Sequence, residues 1–370
     1  MPETTTILIL ANNDVGLLKF RKELLIELTK RGYEIYVSLP VGERTHELTE
    51  MGLHVIQTPM DRRGMNPIKD ALLFLAYLRK IMSLHPRVTL TYTIKPNVYG
   101  GMACRLMRRQ YISTITGLGT SIENEGLLQR MALILYRLGV NGSRCVFFQN
   151  QSNMDFMLSR HIAGKKKKLL PGSGVDLQEH SYREYPDESS GVRFLSIMRV
   201  MRDKGIFELL ECARMARERS LNVSFTLIGD FDDDGYREVV NRSSQEGIIQ
   251  YLGFRNDVDE ILAAHHCVIN PSYHEGMSNV LLEAAACGRP VIASNIPGCK
   301  EAFEEGITGY GFEAKNADQL MECIERFLAL SHEAKEKMGR LARQKMQREF
   351  DRRKIVSTYI QEIETCTRES

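Results

Sequence analysis

Short apolar runs alternate with amphipathic stretches from one end of the chain to the other. A strand buried on both faces reads as a continuous apolar run, and its covering helix shows one apolar stripe, so the alternation predicts parallel sheets clothed in helices. In the first half the strand candidates are 6–10, 34–39, 54–57, 88–91, 112–115 and 145–149. In the second they are 193–197, 224–228, 249–251, 267–270 and 290–293. Helical spacing joins Leu17, Leu24, Leu25 and Leu28, then Leu72, Leu75 and Leu78 beyond Asn66-Pro67, then Leu209, Cys212, Ala213 and Ala216 beyond Gly205. The expectation is an α/β protein with two doubly wound, Rossmann-like halves. Pro171-Gly172-Ser173-Gly174 and the stretch from Tyr185 to Ser190 break the periodicity as a linker would. This predicts an N-terminal domain over 1–175, a C-terminal domain over 190–350 and a cleft between them. Three helical stretches follow Asp318, and the last, about 352–370, comes after the second sheet is complete and is expected to pack back on the first domain.

The length of 370 residues agrees with two domains. A net charge of +2 conceals an asymmetry: residues 1–185 hold 25 Lys/Arg against 16 Asp/Glu, and residues 186–370 hold 24 against 31. The halves are therefore expected to face different partners. Nucleic acid is not among them, because aromatic residues do not interleave the basic clusters and Trp is absent. The eight cysteines form no CxxC pair and most sit in apolar runs, the pattern of buried free thiols in a reducing cytosol. The opening residues predict neither signal peptide nor anchor, and no run of about 18 apolar residues follows.

The most informative stretch runs from Ser272 through Glu275, Gly276, Met277, Ser278, Asn279 and Glu283 to Gly288 and Pro290. A strand, a glycine turn and an apolar helix follow one another there, so backbone N–H groups at the helix start are available to an anion. Glu275 precedes the helix and Glu283 lies within it, so both could address one elongated ligand. Taken alone they also suit a loop carboxylate and a structural helix residue. Arg199 and Lys204 follow the first strand of the second half; they offer a planar fork and a point charge for a diphosphate, or else are solvated surface charges.

Taken together these residues are specific. Glu275 and Glu283 resemble the E-x7-E pattern of the retaining glycosyltransferase family 4, and Arg199 to Gly205 resembles that family's Arg-x4-Lys-Gly motif. Gly229, the run from Tyr251 to Arg255, Gly298 and Gly309 continue the likeness over the second half. The resemblance implies a GT-B fold and a retaining hexosyltransferase using a nucleotide diphosphate sugar, with UDP as the expected nucleotide. It further implies that Glu275 bonds the transferring sugar and Glu283 the ribose hydroxyls. Arg199, Lys204 and the amides of Gly276 to Asn279 would stabilise the departing diphosphate, and Gly229, Phe254 and Arg255 would complete the donor site. No metal or other cofactor is expected, since two cations and a helix start can neutralise the leaving group.

The first half resembles the family more loosely. After its first strand stands Asn12-Asn13-Asp14-Val15-Gly16, where Gly16 is the candidate for close approach to the donor phosphates and Asn12 and Asn13 are equally turn residues. The family's histidine after the fifth strand has no counterpart in Ile115-Thr116-Gly117-Leu118-Gly119. The stretch Tyr92 to Gly100 resembles a subgroup that extends capsular, O-antigen or protein-glycan precursors on a polyprenyl diphosphate. That makes Lys95, Asn97, Tyr99, Gly117 and Gly119 the acceptor-binding candidates, against a salt-bridged lysine and an ordinary N-cap. The basic clusters Arg62-Arg63, Arg105 with Arg108-Arg109, and Lys165 to Lys168 are solvated faces or hold the first half on the inner face of an anionic membrane, as expected of a peripheral, cytoplasmic enzyme. Asp232-Asp233-Asp234 is expected to be a solvated turn, and His265-His266 structural. The rival functions are a nucleotide-sugar epimerase of the same fold and a non-catalytic sugar-binding protein.

Overall fold

The computed structural model describes residues 5–61, 64, 66–118, 126–232 and 234–368. The chain divides into two compact units: Met1–Ser173 together with Arg352–Ser370, and Gly174–Asp351. The second unit thus starts at Gly174, not at 190, because the stretch read as a linker is anchored within it. Arg289 donates to the carbonyls of Arg183 and Glu184, and the Tyr185 hydroxyl donates to the His266 carbonyl.

The first unit holds a seven-stranded parallel sheet of β1 (Thr6–Leu10), β2 (Glu34–Leu39), β3 (His54–Gln57), β4 (Val88–Tyr92), β5 (Tyr111–Ile115), β6 (Cys145–Phe148) and β7 (Lys166–Leu169), in the order β3-β2-β1-β4-β5-β6-β7. On one face of it the helix Asp14–Lys30 buries Leu17, Leu24, Leu25 and Leu28, the predicted stripe. The helix Arg352–Arg368 joins the same core through Ile355, Tyr359, Ile360, Ile363 and Cys366, and the Tyr359 and Thr114 hydroxyls meet at 2.7 Å. The helix Pro67–Leu84, by contrast, turns Leu73, Tyr77 and Ile81 inward and leaves Leu72 and Leu75 exposed. Of the predicted leucines only Leu78 packs against the core, so the spacing marks the helix but not its buried face.

The second unit holds β8 (Val192–Ile197), β9 (Val223–Ile228), β10 (Gln250–Tyr251), β11 (Cys267–Asn270), β12 (Val291–Ser294) and β13 (Gly309–Phe312), again all parallel, in the order β10-β9-β8-β11-β12-β13. Leu209, Cys212, Ala213 and Ala216 are buried on the helix Ile206–Glu218.

Two strands carry no apolar signature. β13 is Gly-Tyr-Gly-Phe, and β7 falls in the lysine run 165–168. β7 pairs through its backbone with buried β6, and the lysines suit a sheet edge, where charge discourages a further strand. Lys166 and Lys168 reach Glu362 of the last helix at 3.5 and 2.8 Å, so they are structural ion pairs and not part of a free basic cluster. All eight cysteines are free and buried, and burial pushes the Cys104 and Cys145 thiols up to about 12. Among the described residues no helix is long and apolar enough to cross a membrane.

Candidate active site

In an open parallel sheet a ligand crevice forms at the carboxyl ends of two neighbouring strands whose connections leave in opposite directions. In the second unit those strands are β8 and β11, since β8 runs on to β9 on one side while β11 runs on to β12 on the other. Arg199 and Lys204 follow β8, and the loop Pro271–Ser278 follows β11. Arg199 and Lys204 on one side and Glu275 to Ser278 on the other, far apart in sequence, thus belong to the two loops that flank the switch point.

The loops meet at a charged contact. Lys204 Nζ lies 2.6 Å from Glu275 Oε1, with the lysine side chain 23% and the glutamate 15% exposed. Ser272 Oγ is within hydrogen-bond distance of the same oxygen at 2.8 Å and of Asn270 Oδ1 at 3.0 Å. Two glycines permit the approach. Gly205 sits at φ +74°, and a Cβ there would come 2.1 Å from the Pro271 carbonyl oxygen; Gly298, at φ +87°, would place one 2.6 Å from the Glu275 carbonyl oxygen. The Ser278 amide donates to the Gly298 carbonyl at 2.7 Å, which ties the glycine turn to the loop after β12.

Ser278 precedes the helix Asn279–Ala286, whose first turn has no side-chain cap, so its amides are served by no cap at the crevice end. Met277 and Ser278 are buried, and Asn270 Nδ2 donates to Ser278 Oγ at 2.6 Å. Glu283 is only 3% exposed, inside the helix. Its charge acts on His180, where burial opposes protonation but bonds to Asp259 and Cys287, with the Glu283 and Asp259 charges, raise the imidazole to about 10. Burial, with the Glu275 charge, holds the Cys299 thiol well above its ordinary range. Beside this contact Tyr273 and His274 border an open cavity of about 560 Å³, lined also by Asn295, Ile296, Phe312 and Gln319.

Arg199 is engaged differently. Its Nη1 is 2.8 Å from Asp232 Oδ1, which corrects the reading of Asp232 as part of a solvated turn: the carboxylate, 17% exposed, orients the candidate cation. Asp233 lies outside the described residues, and Asp234 pairs with Arg237. Gly229 receives the loop after β10, its amide donating to the Gly253 carbonyl and its own carbonyl accepting from the Tyr251 hydroxyl, each at 2.9 Å. Phe254 is exposed, and Arg255 is committed to Asp257 at 2.8 Å. His265 bonds Thr226 and the Ile261 carbonyl; His266 bonds the Arg193 amide and the Asp187 carbonyl, with burial lowering it to about 4. Both histidines are structural. Ser272 and Asp232 are the site residues that sequence reasoning missed; a small hydroxyl just past a strand and an acid just past a Gly-Asp turn were the available signals.

In the first unit Gly16 follows β1 and Lys95, Asn97 and Tyr99 follow β4, the two strands of its switch point, whereas Gly117 follows β5. The Gly16 amide donates to Asn13 Oδ1, the N-cap of its helix, which settles Asn13 as a turn residue. Asn97 is no N-cap. It lies within a π-helical turn, Pro96–Gly100, fully buried, accepting from Thr91 Oγ1 at 2.6 Å and donating to the Thr114 carbonyl at 2.8 Å, so its side chain is spent on the sheet. Lys95 is salt-bridged to Asp70 at 2.5 Å, and the Tyr99 hydroxyl donates to the other oxygen of Asp70 at 2.9 Å. Gly117 lies one residue before the described part of its loop ends at Leu118, and Gly119 lies outside the described residues.

The family model for group 1 glycosyl transferases matches residues 191–329, and that for glycosyl transferase 4-like proteins matches residues 6–150. A Campylobacter jejuni N,N'-diacetylbacillosaminyl-diphospho-undecaprenol alpha-1,3-N-acetylgalactosaminyltransferase is 27% identical over 86% of this chain and 88% of its own. An Escherichia coli UDP-Gal:alpha-D-GlcNAc-diphosphoundecaprenol alpha-1,3-galactosyltransferase is 22% identical over 71% and 72%. The crystal structure of a glycosyltransferase from Rickettsia africae superposes with a TM-score of 0.82 at 18% identity, covering both chains completely. With a glycosyl transferase 4-like first half and a group 1 glycosyl transferase second half, the chain is a glycosyltransferase and has the GT-B fold.

Proposed function

We propose that the enzyme moves a hexose or N-acetylhexosamine from a UDP-sugar to a hydroxyl of a polyprenyl-diphosphate-linked saccharide, with retention of anomeric configuration. The observation that carries the reading is the Lys204–Glu275 contact across the switch point, with Arg199 on the same loop as Lys204. A diphosphate arriving there meets two cations and an uncapped helix start, while Glu275 is held beside Lys204 for the sugar. The bond between the anomeric carbon and the diphosphate oxygen breaks, the acceptor oxygen bonds to that carbon, and the acceptor's hydroxyl proton passes to the departing diphosphate. The cations carry the developing charge, so the proposal needs no metal. The names of the Campylobacter and Escherichia relatives support the acceptor class, and the Escherichia one supports UDP.

The test is a donor screen that follows nucleotide diphosphate release with and without a polyprenyl diphosphate saccharide, in the presence and absence of a chelator. Release that requires the acceptor, is indifferent to the chelator and gives a product of unchanged anomeric configuration by NMR is expected. An epimerised sugar nucleotide formed without acceptor, or an inverted product, overturns the reading.

A further inference from the structure

The outward helical layer of the first unit has two unusual features side by side. The first is apolar. The helix Leu127–Val140 buries Tyr136, Gly139 and Val140, yet exposes Leu127, Met131, Ile134 and Leu138, spaced so that they form one continuous stripe. The helix Pro67–Leu84 does the same with Ile68, Leu72, Leu75 and Met82, and Leu106 is exposed on the short helix Gly101–Leu106, which packs against both. An ordinary solvated surface scatters such residues singly and does not align them on neighbouring helices.

The second feature is a cavity of about 460 Å³ at the amino ends of β5 and β6, lined by Arg105, Arg108, Arg109, Arg144 and Lys165 and by no carboxylate. Among the described residues Arg105, Arg108, Arg109 and Lys165 pair with no acid, whereas nearby Lys166 and Lys168 share Glu362. The cavity adjoins the apolar stripe directly. Gly142 lines it just after the helix ends, and Arg105 donates to the carbonyl of Leu138, whose side chain closes the stripe. Five converging cations in a concave site suit a phosphate group, and guanidinium forks bind phosphate oxygens in pairs.

We propose that this layer rests on an anionic lipid surface, with a lipid phosphate in the arginine cavity and the Leu127–Leu138 stripe among the acyl chains. Cations beside an exposed apolar stripe match the chemistry of a membrane interface, charge outside and hydrocarbon beneath. The proposal deepens the reading of a membrane-held acceptor, but vesicle uptake needs neither donor nor acceptor, so either can fail while the other stands.

Co-sedimentation of the full chain with phosphatidylglycerol vesicles is expected to show binding that falls as salt rises, with little uptake by phosphatidylcholine vesicles. The triple variant Arg105→Glu/Arg108→Glu/Arg109→Glu is expected to bind about 100-fold or more weakly, since each cation near such a surface is worth roughly a factor of five. Met131→Asp/Ile134→Asp removes the stripe independently and is expected to cost at least about tenfold. All the replaced stripe residues are exposed, so far-UV circular dichroism and thermal unfolding should match the parent. Undiminished binding of either variant, equal uptake by phosphatidylcholine, binding of inorganic phosphate without binding of vesicles, or a stable dimer that covers the stripe in place of vesicle binding each overturns the proposal.

Discussion

Lys204 and Glu275 stand 71 positions apart in the chain and 2.6 Å apart in space, one on the loop after β8 and the other on the loop after β11. The two charges balance, which allows a partly buried site to hold a carboxylate for a sugar and a cation for a diphosphate without leaving either charge uncompensated. Removing one partner therefore exposes the other. Lys204→Met is expected to lower kcat/KM for the sugar nucleotide by roughly 100- to 1000-fold, the usual loss for one preorganised group facing transition-state charge. Glu275→Gln should lower kcat by a similar factor while leaving the affinity for free nucleotide diphosphate within about threefold, because the sugar is absent from that ligand. Steady-state kinetics and calorimetric titration with UDP check both; an unchanged rate for either variant would remove the pair from the mechanism.

Arg199 is tethered by Asp232, an ion pair whose arginine is half exposed. Such pairs are worth about 0.2–1 kcal/mol, so Asp232→Ala is expected to change the donor KM by no more than about fivefold. Arg199→Ala should raise it much further. If the two variants behave alike, Asp232 is part of the donor site and not merely an anchor for the cation.

The contact between the loops depends on a backbone that passes close to Pro271. Gly205→Ala puts a methyl group where the Pro271 carbonyl stands, at a left-handed φ that L residues resist, and is expected to cost more than about 1–2 kcal/mol. Gly247 has a similar φ of +69° with nothing within 4 Å, so Gly247→Ala pays the backbone strain alone. The difference in melting temperature, about 2–4 °C per kcal/mol in a unit of this size, isolates the close approach. Transfer should fall with Gly205→Ala and persist with Gly247→Ala.

His180 accounts for a specific pH dependence. Burial disfavours its charge, but the hydrogen bond to Asp259 at 2.7 Å, aided by Cys287 and Glu283, raises it from 6.5 to about 10. Between these values the folded protein holds a proton that the unfolded chain releases, so the stabilisation is complete below pH 6.5 and is lost as pH rises toward 10. Thermal unfolding of the parent should weaken across that window, and His180→Gln should flatten the profile there. A parallel profile for the variant would show that other groups set the slope.

Much of this was legible in the residues. Alternating apolar runs locate the strands of both sheets except β7, three of whose four residues are lysines, and β13, where glycines separate the buried Tyr310 and Phe312. The spacing of Arg199 with Lys204, and of Glu275 with Glu283, located both loops of the second-unit crevice. An asparagine near a proline turn reads as a cap, whereas the interior strands β4 and β5 take both ends of the Asn97 amide. The helix Pro67–Leu84 was recognised by period, but period alone does not say which of two apolar stripes finds a partner.

By itself, then, the sequence determined element type, parallel architecture and the order of the chemistry, because each depends on a residue and its near neighbours along the chain. The tertiary structure alone decided which charges meet. Lys204 chose Glu275, Arg199 chose Asp232, and Lys166 and Lys168 took Glu362, while Arg105, Arg108 and Arg109 were gathered around a cavity with no acid. Partner choice follows from which loops a sheet brings to the same end, and strand order is a property of the packed molecule and not of any stretch of its chain.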